Sequence, residues 1–145
     1  MRSTSLKGKI ALVTGAGQNI GRSIALDLAA SGATIVVNGR KNERLVFDTV
    51  DEIEQNGGNA IGIIADISDP EAVERMMEHA EKEHGGLDIL VCNAGLRRQT
   101  PFLDMSFIEW REILSVALDG AFLLTKAAVP LMIKRGQGAI VGLSG

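Results

Sequence analysis

The feature that most constrains this chain is an alternation. Short β-branched runs at residues 10–14, 34–38, 60–64, 89–92 and 139–143 are separated by longer stretches whose apolar residues recur at helical spacing. Four of the five runs are nearly all apolar, as strands covered on both faces of a parallel sheet have to be. Between them lie four stripes: Ile20, Ile24 and Leu28; Val46, Val50 and Ile53; Val73, Met76, Met77 and Ala80; Ile113, Val116, Gly120 and Leu124. Each is read as a helix face for core packing. Asp69 before Pro70 predicts a capped helix start, and Ser106 with Glu109 has capping-box spacing. Gly32, Gly57 and Gly85 each follow a helical run, where a left-handed terminus favours glycine.

The sum is βαβαβαβαβ. Parallel neighbours need right-handed helical crossovers, so the fold class is α/β, a doubly wound parallel sheet with helices on both faces. The predicted strand order is 3-2-1-4-5, with a ligand crevice at the carboxyl ends where the order reverses. The 145 residues suit one domain over 1–145. A net charge of −3 gives no basic excess, so no nucleic-acid partner is expected. Uninterrupted apolar runs fall short of the roughly 20 residues that span a bilayer, so no membrane partner is expected either. Residues 1–7 have no apolar segment of the kind a signal peptide needs, and Cys92 is the single cysteine, so a cytoplasmic location is expected. One cysteine with His79 and His84 builds no typical zinc site, so no metal is expected.

Residues 14–21, reading T-G-A-G-Q-N-I-G, join the first strand to the first helix. A phosphate can sit on the free N–H groups and positive dipole of such a helix start. Gly15 and Gly17 would let the backbone approach a pyrophosphate, and Gly21 would let the helix pack on the sheet. Gln18, Asn19 and Ile20 complete the candidate cofactor turn, and a tight βα turn without a ligand is the alternative. A Walker-type loop is a poor match, since the segment from Ala16 to Ser23 lacks its first glycine and its lysine. The fingerprint G-x-G-x-x-G also fails, because Gly17 and Gly21 stand one residue too far apart.

An acid that binds the adenosine ribose should lie about 20 residues further on, at the end of the second strand. Here the chain reads Val37, Asn38, Gly39, Arg40, Lys41, with no carboxylate. A guanidinium fits a phosphate with paired hydrogen bonds, so Arg40 is read as a 2′-phosphate ligand and the cofactor as NADP(H). NAD(H) is the alternative cofactor, with Arg40 in a solvated basic turn.

The longer turn resembles the T-G-x-x-x-G-x-G turn of the short-chain dehydrogenase/reductase family, through Thr14, Gly15 and Gly21. Asn19 stands at that pattern's middle glycine and tolerates left-handed backbone. Asn93, Ala94 and Gly95, ending the fourth strand, resemble the family's N-N-A-G, with Cys92 at the first Asn. Together the two motifs extend the resemblance from about Lys7 to the end of the chain. It implies a Rossmann fold, with Asp66 accepting from the adenine amino group, the Ile67 N–H reaching the ring, and Asn93, Ala94 and Gly95 beside the ribose and nicotinamide. Asp66 capping its own turn is the alternative. The resemblance also implies an oxidoreductase that passes hydride between nicotinamide and a carbonyl/alcohol substrate, of the 3-oxoacyl carrier-protein reductase or sugar/ketone reductase kind. It implies a homodimer or homotetramer formed through the long helix expected over 106–135.

The departures lie on the catalytic side. Family members use a Tyr and a Lys in Y-x-x-x-K, with a supporting Ser and Asn. This chain has no tyrosine and stops at Gly145 before such a segment. Ala117 stands at the Asn position and Gly145 at the Ser position, leaving Ser144 as a catalytic candidate only with a one-residue shift. The domain is therefore expected to be truncated after the fifth strand. Two explanations are open: a portion of a longer enzyme, or a catalytically degenerate NADP(H)-binding module without turnover. Arg97 and Arg98 either attract an anionic substrate or form a solvated loop.

Overall fold

The computed structural model describes residues 5–144. In chain order the elements are β1 (Ile10–Val13), α1 (Asn19–Ala30), β2 (Thr34–Gly39), α2 (Glu43–Gln55), β3 (Asn59–Ile64), α3 (Pro70–His84), β4 (Ile89–Cys92), a 3-10 turn (Phe102–Asp104), α4 (Phe107–Leu114), α5 (Gly120–Arg135) and β5 (Ala139–Gly142). The sheet is wholly parallel and runs β3-β2-β1-β4-β5, the order expected from the sequence. The order reverses between β1 and β4, which puts a topological switch point there.

Alternation along the strands sorts the core into two layers. Ile10, Leu12, Val36 and Leu90 face one side, with Met76, Ala80, Leu124 and Ala128 of α3 and α5. Ala11, Val13, Ile35 and Val37 face the other, with Ala25, Val46 and Ile53 of α1 and α2. Burial on both faces is what makes these runs almost wholly apolar. The fifth run departs from this. All four residues of β5 are exposed, because it is an edge strand with no helix packed over it among the described residues.

The helix ends follow their local chemistry. Asp69 accepts from the Glu71 N–H, Pro70 occupies the first turn of α3, and Gly85 closes it at φ +83°. Ser106 accepts from the Glu109 N–H, but the Glu109 carboxylate takes the Thr100 hydroxyl instead of reaching back to the cap.

The expected single helix over 106–135 is interrupted. Residues Ser115–Asp119 form a π-helical turn between α4 and α5. Of its residues Val116 is buried, while α4 buries none. Over Phe107–Arg135 the helical stretch is long and apolar enough, by length and composition, to cross a membrane. A count of uninterrupted apolar residues misses that, because polar side chains punctuate the stretch. Leu124, Ala128, Leu131 and Met132 nevertheless place one face of α5 in the core of the sheet.

At the amino end of the sheet a polar staple ties three segments. Asp88 is 3% exposed. It accepts from the Ile10 N–H at 2.9 Å and from Arg135 at 3.0 and 3.1 Å, and Arg135 also donates to the Gly8 carbonyl. Burial pushes the Asp88 carboxyl up, but the Arg135 and Ile10 hydrogen bonds and the charges of Arg135 and Lys9 more than reverse this, holding it below the usual carboxylate range. The opposite, carboxyl end carries the candidate site.

Candidate functional site

The turn after β1 is built on two left-handed residues. Gly15 sits at φ +62° and Asn19 at φ +50°, the one non-glycine residue with positive φ among those described. Asn19 thus takes the conformation that the family's middle glycine would supply. Gln18 precedes α1 in extended conformation and offers no side-chain cap. The first N–H groups of α1 therefore have no side-chain acceptor and remain for an anion. Ile20 follows at the first turn with its side chain exposed.

The glycines are required by close approach within the protein. A Cβ on Gly21 would overlap the Gly15 carbonyl oxygen and the Asn93 amide nitrogen. One on Gly17 would lie 3.1 Å from Leu45, so Gly17 serves the packing of the turn on α2.

Thr14 holds this turn to the end of β4. Its hydroxyl donates to the Val91 carbonyl at 3.3 Å and accepts from the Asn93 and Ala94 N–H groups at 3.0 and 3.1 Å. The Asn93 side-chain amide donates to the Thr14 and Gly15 carbonyls at 3.0 and 3.3 Å. Asn93 therefore braces the glycine turn with its side chain, and the opening beside it is left to Ala94 and exposed Gly95. Thr14 was legible only as a letter of the turn pattern; its two accepted bonds mark it as a structural part of the site.

At the end of β2, a Cβ on Gly39 would overlap a Val46 methyl. The next residue, Arg40, points its Nε at Asp66, which it meets at 2.9 Å. Asp66 also accepts from the N–H and hydroxyl of Ser68 at 2.9 and 2.6 Å. Asp66 thus caps its own turn, and its carboxylate is shared with Arg40. Burial pushes the Asp66 carboxyl up, but the Ser68 hydrogen bonds and the Arg40 charge outweigh it and hold the group below its usual range. Ser68, two residues after Asp66, has the spacing of an Asx turn, a signal the sequence carried. The Ile67 side chain is buried against α5, with its Cδ1 2.8 Å from where a Cβ on Gly120 would lie.

The remaining candidates are spread around this end. The Cys92 thiol is partly buried and pushed up by burial, so it stays protonated near neutral pH. Arg98 pairs with Glu112 at 3.1 Å, while Arg97 is exposed. Ser144 is exposed just past β5, two residues after the register partner of Cys92. Ala117 is exposed in the π-helical turn, and Gly145 lies outside the described residues. No cluster of metal-ligating side chains occurs among the described residues.

The chain matches the short chain dehydrogenase family over residues 9–145. It belongs to that family, whose members are oxidoreductases. Among curated relatives of this short-chain dehydrogenase, a 3-oxoacyl-[acyl-carrier-protein] reductase of Synechocystis is 37% identical over 141 residues, covering 97% of this chain and 57% of the relative. A short-chain dehydrogenase/reductase of Armillaria gallica is 42% identical over 145 residues, covering 98% and 56%. Among solved structures, a putative short-chain alcohol dehydrogenase from Sinorhizobium meliloti superposes with a TM-score of 0.91 at 40% identity, covering 98% of this chain and 56% of that one. A metagenomic short-chain oxidoreductase in complex with NADP also superposes at 0.91, at 34% identity, covering 97% and 64%. The chain thus spans little more than half the length of the relatives it matches. Within this family portion, the turn after β1, the end of β2 and the end of β4 all lie at the carboxyl end of the sheet.

Proposed function

We propose that the protein containing this chain is an NADP(H)-dependent oxidoreductase acting on a carbonyl/alcohol pair. The observation that carries the reading is the end of β2. It presents the Arg40 guanidinium one residue after Gly39, which stands where an NAD-type site carries its acid, and a side chain at Gly39 would meet a Val46 methyl. The fit to a dinucleotide is supported by the start of α1, free of side-chain caps, which suits a pyrophosphate, and by the small residues Ala94 and Gly95 beside it. When bound, the nicotinamide would supply or accept the hydride. This chain's residues bind and orient. The α1 N–H groups hold phosphate, Arg40 holds the 2′-phosphate, and Thr14 and Asn93 keep the glycine turn against β4. With no tyrosine in these residues, the acid/base is assigned to the part of the relatives' length that this chain does not span. Ser144, at the same end of the sheet, is the one hydroxyl proposed to orient substrate oxygen.

The substrate is proposed to be a 3-oxoacyl compound or a related ketone, a reading supported by the similarity to 3-oxoacyl-[acyl-carrier-protein] reductases of Synechocystis and Aquifex aeolicus. A cytoplasmic location and self-association through α4 and α5 are part of the same proposal. Phe107, Ile108, Trp110 and Phe122 leave apolar surface exposed along those helices, more than a monomer needs.

The test is turnover by the full-length protein with ethyl acetoacetate and a ketone panel, using NADPH and NADH separately. NADPH is expected to be preferred. Arg40→Ala is expected to lower kcat/KM for NADPH by about ten- to a hundredfold, the weight of charge-assisted hydrogen bonds to phosphate, and to leave NADH nearly unchanged. Equal use of both cofactors by the unaltered protein would overturn the NADP(H) assignment.

A further inference from the structure

β2 runs apolar from Ile35 to Val37 and then turns polar at Asn38, which is 1% exposed. Side chains alternate along a strand, so Asn38 lies on the same face as Val36, which packs in the layer with Leu12 and Leu90. A valine would fill this position as Val36 fills its own, without the cost of taking an amide out of water. The amide is therefore accounted for by what it bonds. Its Nδ2 donates to the carbonyls of Ala65, Ile63 and Gly39, at 3.2, 3.3 and 3.3 Å. Two hydrogens serve three acceptors, so no single contact is strong. The Ala65 carbonyl nevertheless has no other donor among the described residues, and a buried carbonyl left unpaired is costly.

Asn38 also stands where three segments of the candidate cofactor site meet. Its own carbonyl accepts from the Ala16 N–H at 2.8 Å, which holds the glycine turn after β1. It directly precedes Gly39 and Arg40 in the chain. Its side chain holds Ala65, the residue before Asp66, and the Ala65 N–H donates back to the Gly39 carbonyl at 2.9 Å. Asn38 and Ile63 are register partners and the last-but-one residues of β2 and β3. The amide thus closes the two strand ends onto each other just before each gives way to its loop.

We propose that Asn38 is a positioning residue for the adenosine half of the cofactor. It fixes the spacing between the glycine turn, the turn at Gly39 and Arg40, and the turn at Ala65 and Asp66. It therefore sets how tightly the nucleotide is held and not how fast hydride moves. The proposal rests on the dinucleotide reading above. On that reading one ligand spans all three segments, with pyrophosphate at the glycine turn, ribose at the end of β2 and the ring beyond β3. A binding constellation needs its groups within about 0.5 Å of their productive places, and main-chain groups cannot recover a displacement by changing rotamer. Losing the amide lets the end of β3 drift from that of β2, and the ligand then satisfies one segment at the expense of another. The nicotinamide end, at Ala94 and Gly95, is held by Thr14 and Asn93. The Asn38 side chain makes no bond to those residues, so the reacting end keeps its geometry when the amide is removed.

The experiment uses the full-length protein, with adenosine 2′,5′-bisphosphate titrated by calorimetry and NADPH-dependent reduction of ethyl acetoacetate followed in parallel. Thermal melting gives the folded fraction of each variant at the assay temperature. Asn38→Ala is expected to weaken the bisphosphate and raise KM for NADPH about tenfold, the scale of one buried hydrogen bond, with kcat at saturating NADPH within about twofold of the parent. Asn38→Thr keeps a similar side-chain volume and one hydroxyl donor, and should recover part of the loss. Unchanged bisphosphate binding by a folded Asn38→Ala protein would overturn the proposal and leave the amide a purely structural role. A fall in kcat with KM unchanged would overturn it too, by moving the effect to the reacting end. If Asn38→Ala does not fold, Asn38→Thr decides: weaker bisphosphate binding at unchanged kcat supports the proposal, and parental binding overturns it. The underlying reading fails separately, if the unaltered protein binds neither the bisphosphate nor NADPH.

Discussion

Replacing Gly39 by alanine tests the packing at the end of β2 directly. The added Cβ would overlap a Val46 methyl. Val46 is 1% exposed and sits in the core layer with Val13, Val37 and Ile53. Its other methyl packs by Gly62 of β3, 2.9 Å from where a Cβ on that glycine would be. Forcing a methyl into such a site costs about 1–3 kcal/mol, a fall in melting temperature of roughly 2–12 °C for a protein of this size class. Val46→Ala alone removes buried methyl groups and costs about 2 kcal/mol. Together the two changes should cost less than their sum, because the methyl that clashes is the one removed. The coupling should favour the double variant by about 1–2 kcal/mol. The assay is thermal unfolding of the four proteins at one fixed concentration. The same logic governs cofactor engineering. Gly39→Asp should gain NADH use only when Val46→Ala accompanies it. A Gly39→Ala protein as stable as the parent, or costs that add within about 0.5 kcal/mol, would refute the reasoning.

Thr14→Val should destabilise by about 2–4 kcal/mol, since the Asn93 and Ala94 N–H groups lose their acceptor. Thr14→Ser should retain most of the stability, and amide hydrogen exchange at Asn93 and Ala94 reads the difference. The Asp88 carboxyl is held below its usual range when folded. Its contribution is therefore complete above the unfolded value near pH 4 and is lost as pH falls through the folded value. Asp88→Asn should lower the melting temperature at pH 7 and flatten its decline below about pH 4; an unchanged acid limb would count against the staple. Phe122 is 63% exposed on α5, so Phe122→Glu in the full-length protein should reduce the mass seen by light scattering if α5 mediates self-association. An unchanged mass would remove Phe122 from the interface.

Much of the fold was legible because burial on two faces leaves a one-dimensional trace. Ile10 and Leu12 go to one layer and Ala11 and Val13 to the other, so a strand needing apolar residues at every position reads as a continuous run. The strand order is the one a doubly wound sheet of this alternation is expected to take. The contacts that make the site were harder to see. Thr14 and Asn93 meet across 79 residues, and Arg40 meets Asp66 across 26. No local pattern encodes such pairs. They follow from topology, since the register Val13↔Val91 brings the residues just past β1 and β4 together. The neighbouring ends of β2 and β3, in register at Gly39↔Ile64, do the same for Arg40 and Asp66. Once the order 3-2-1-4-5 is accepted, both meetings become deducible, one step further than motif spacing alone reaches.

The π-helical turn marks where that kind of deduction stops. The spacing Val116, Gly120, Leu124 continues as an unbroken helical stripe, and all three residues are buried. A stripe of this kind continues smoothly from the π turn into α5, so periodicity gives no sign of the wider turn. What changes is upstream. Ile113 is only half-buried and α4 buries no residue, so the helix leaves the sheet before the turn and joins it after. The extra residue per turn is the backbone's way of changing which face meets the core. Ala117 lies in that transition, where the family pattern has Asn, and its methyl side chain offers neither donor nor acceptor. The polar side chains of the turn are Ser115, whose hydroxyl donates to the Glu112 carbonyl, and exposed Asp119. The adaptation is thus one of backbone geometry, which side-chain patterns cannot report.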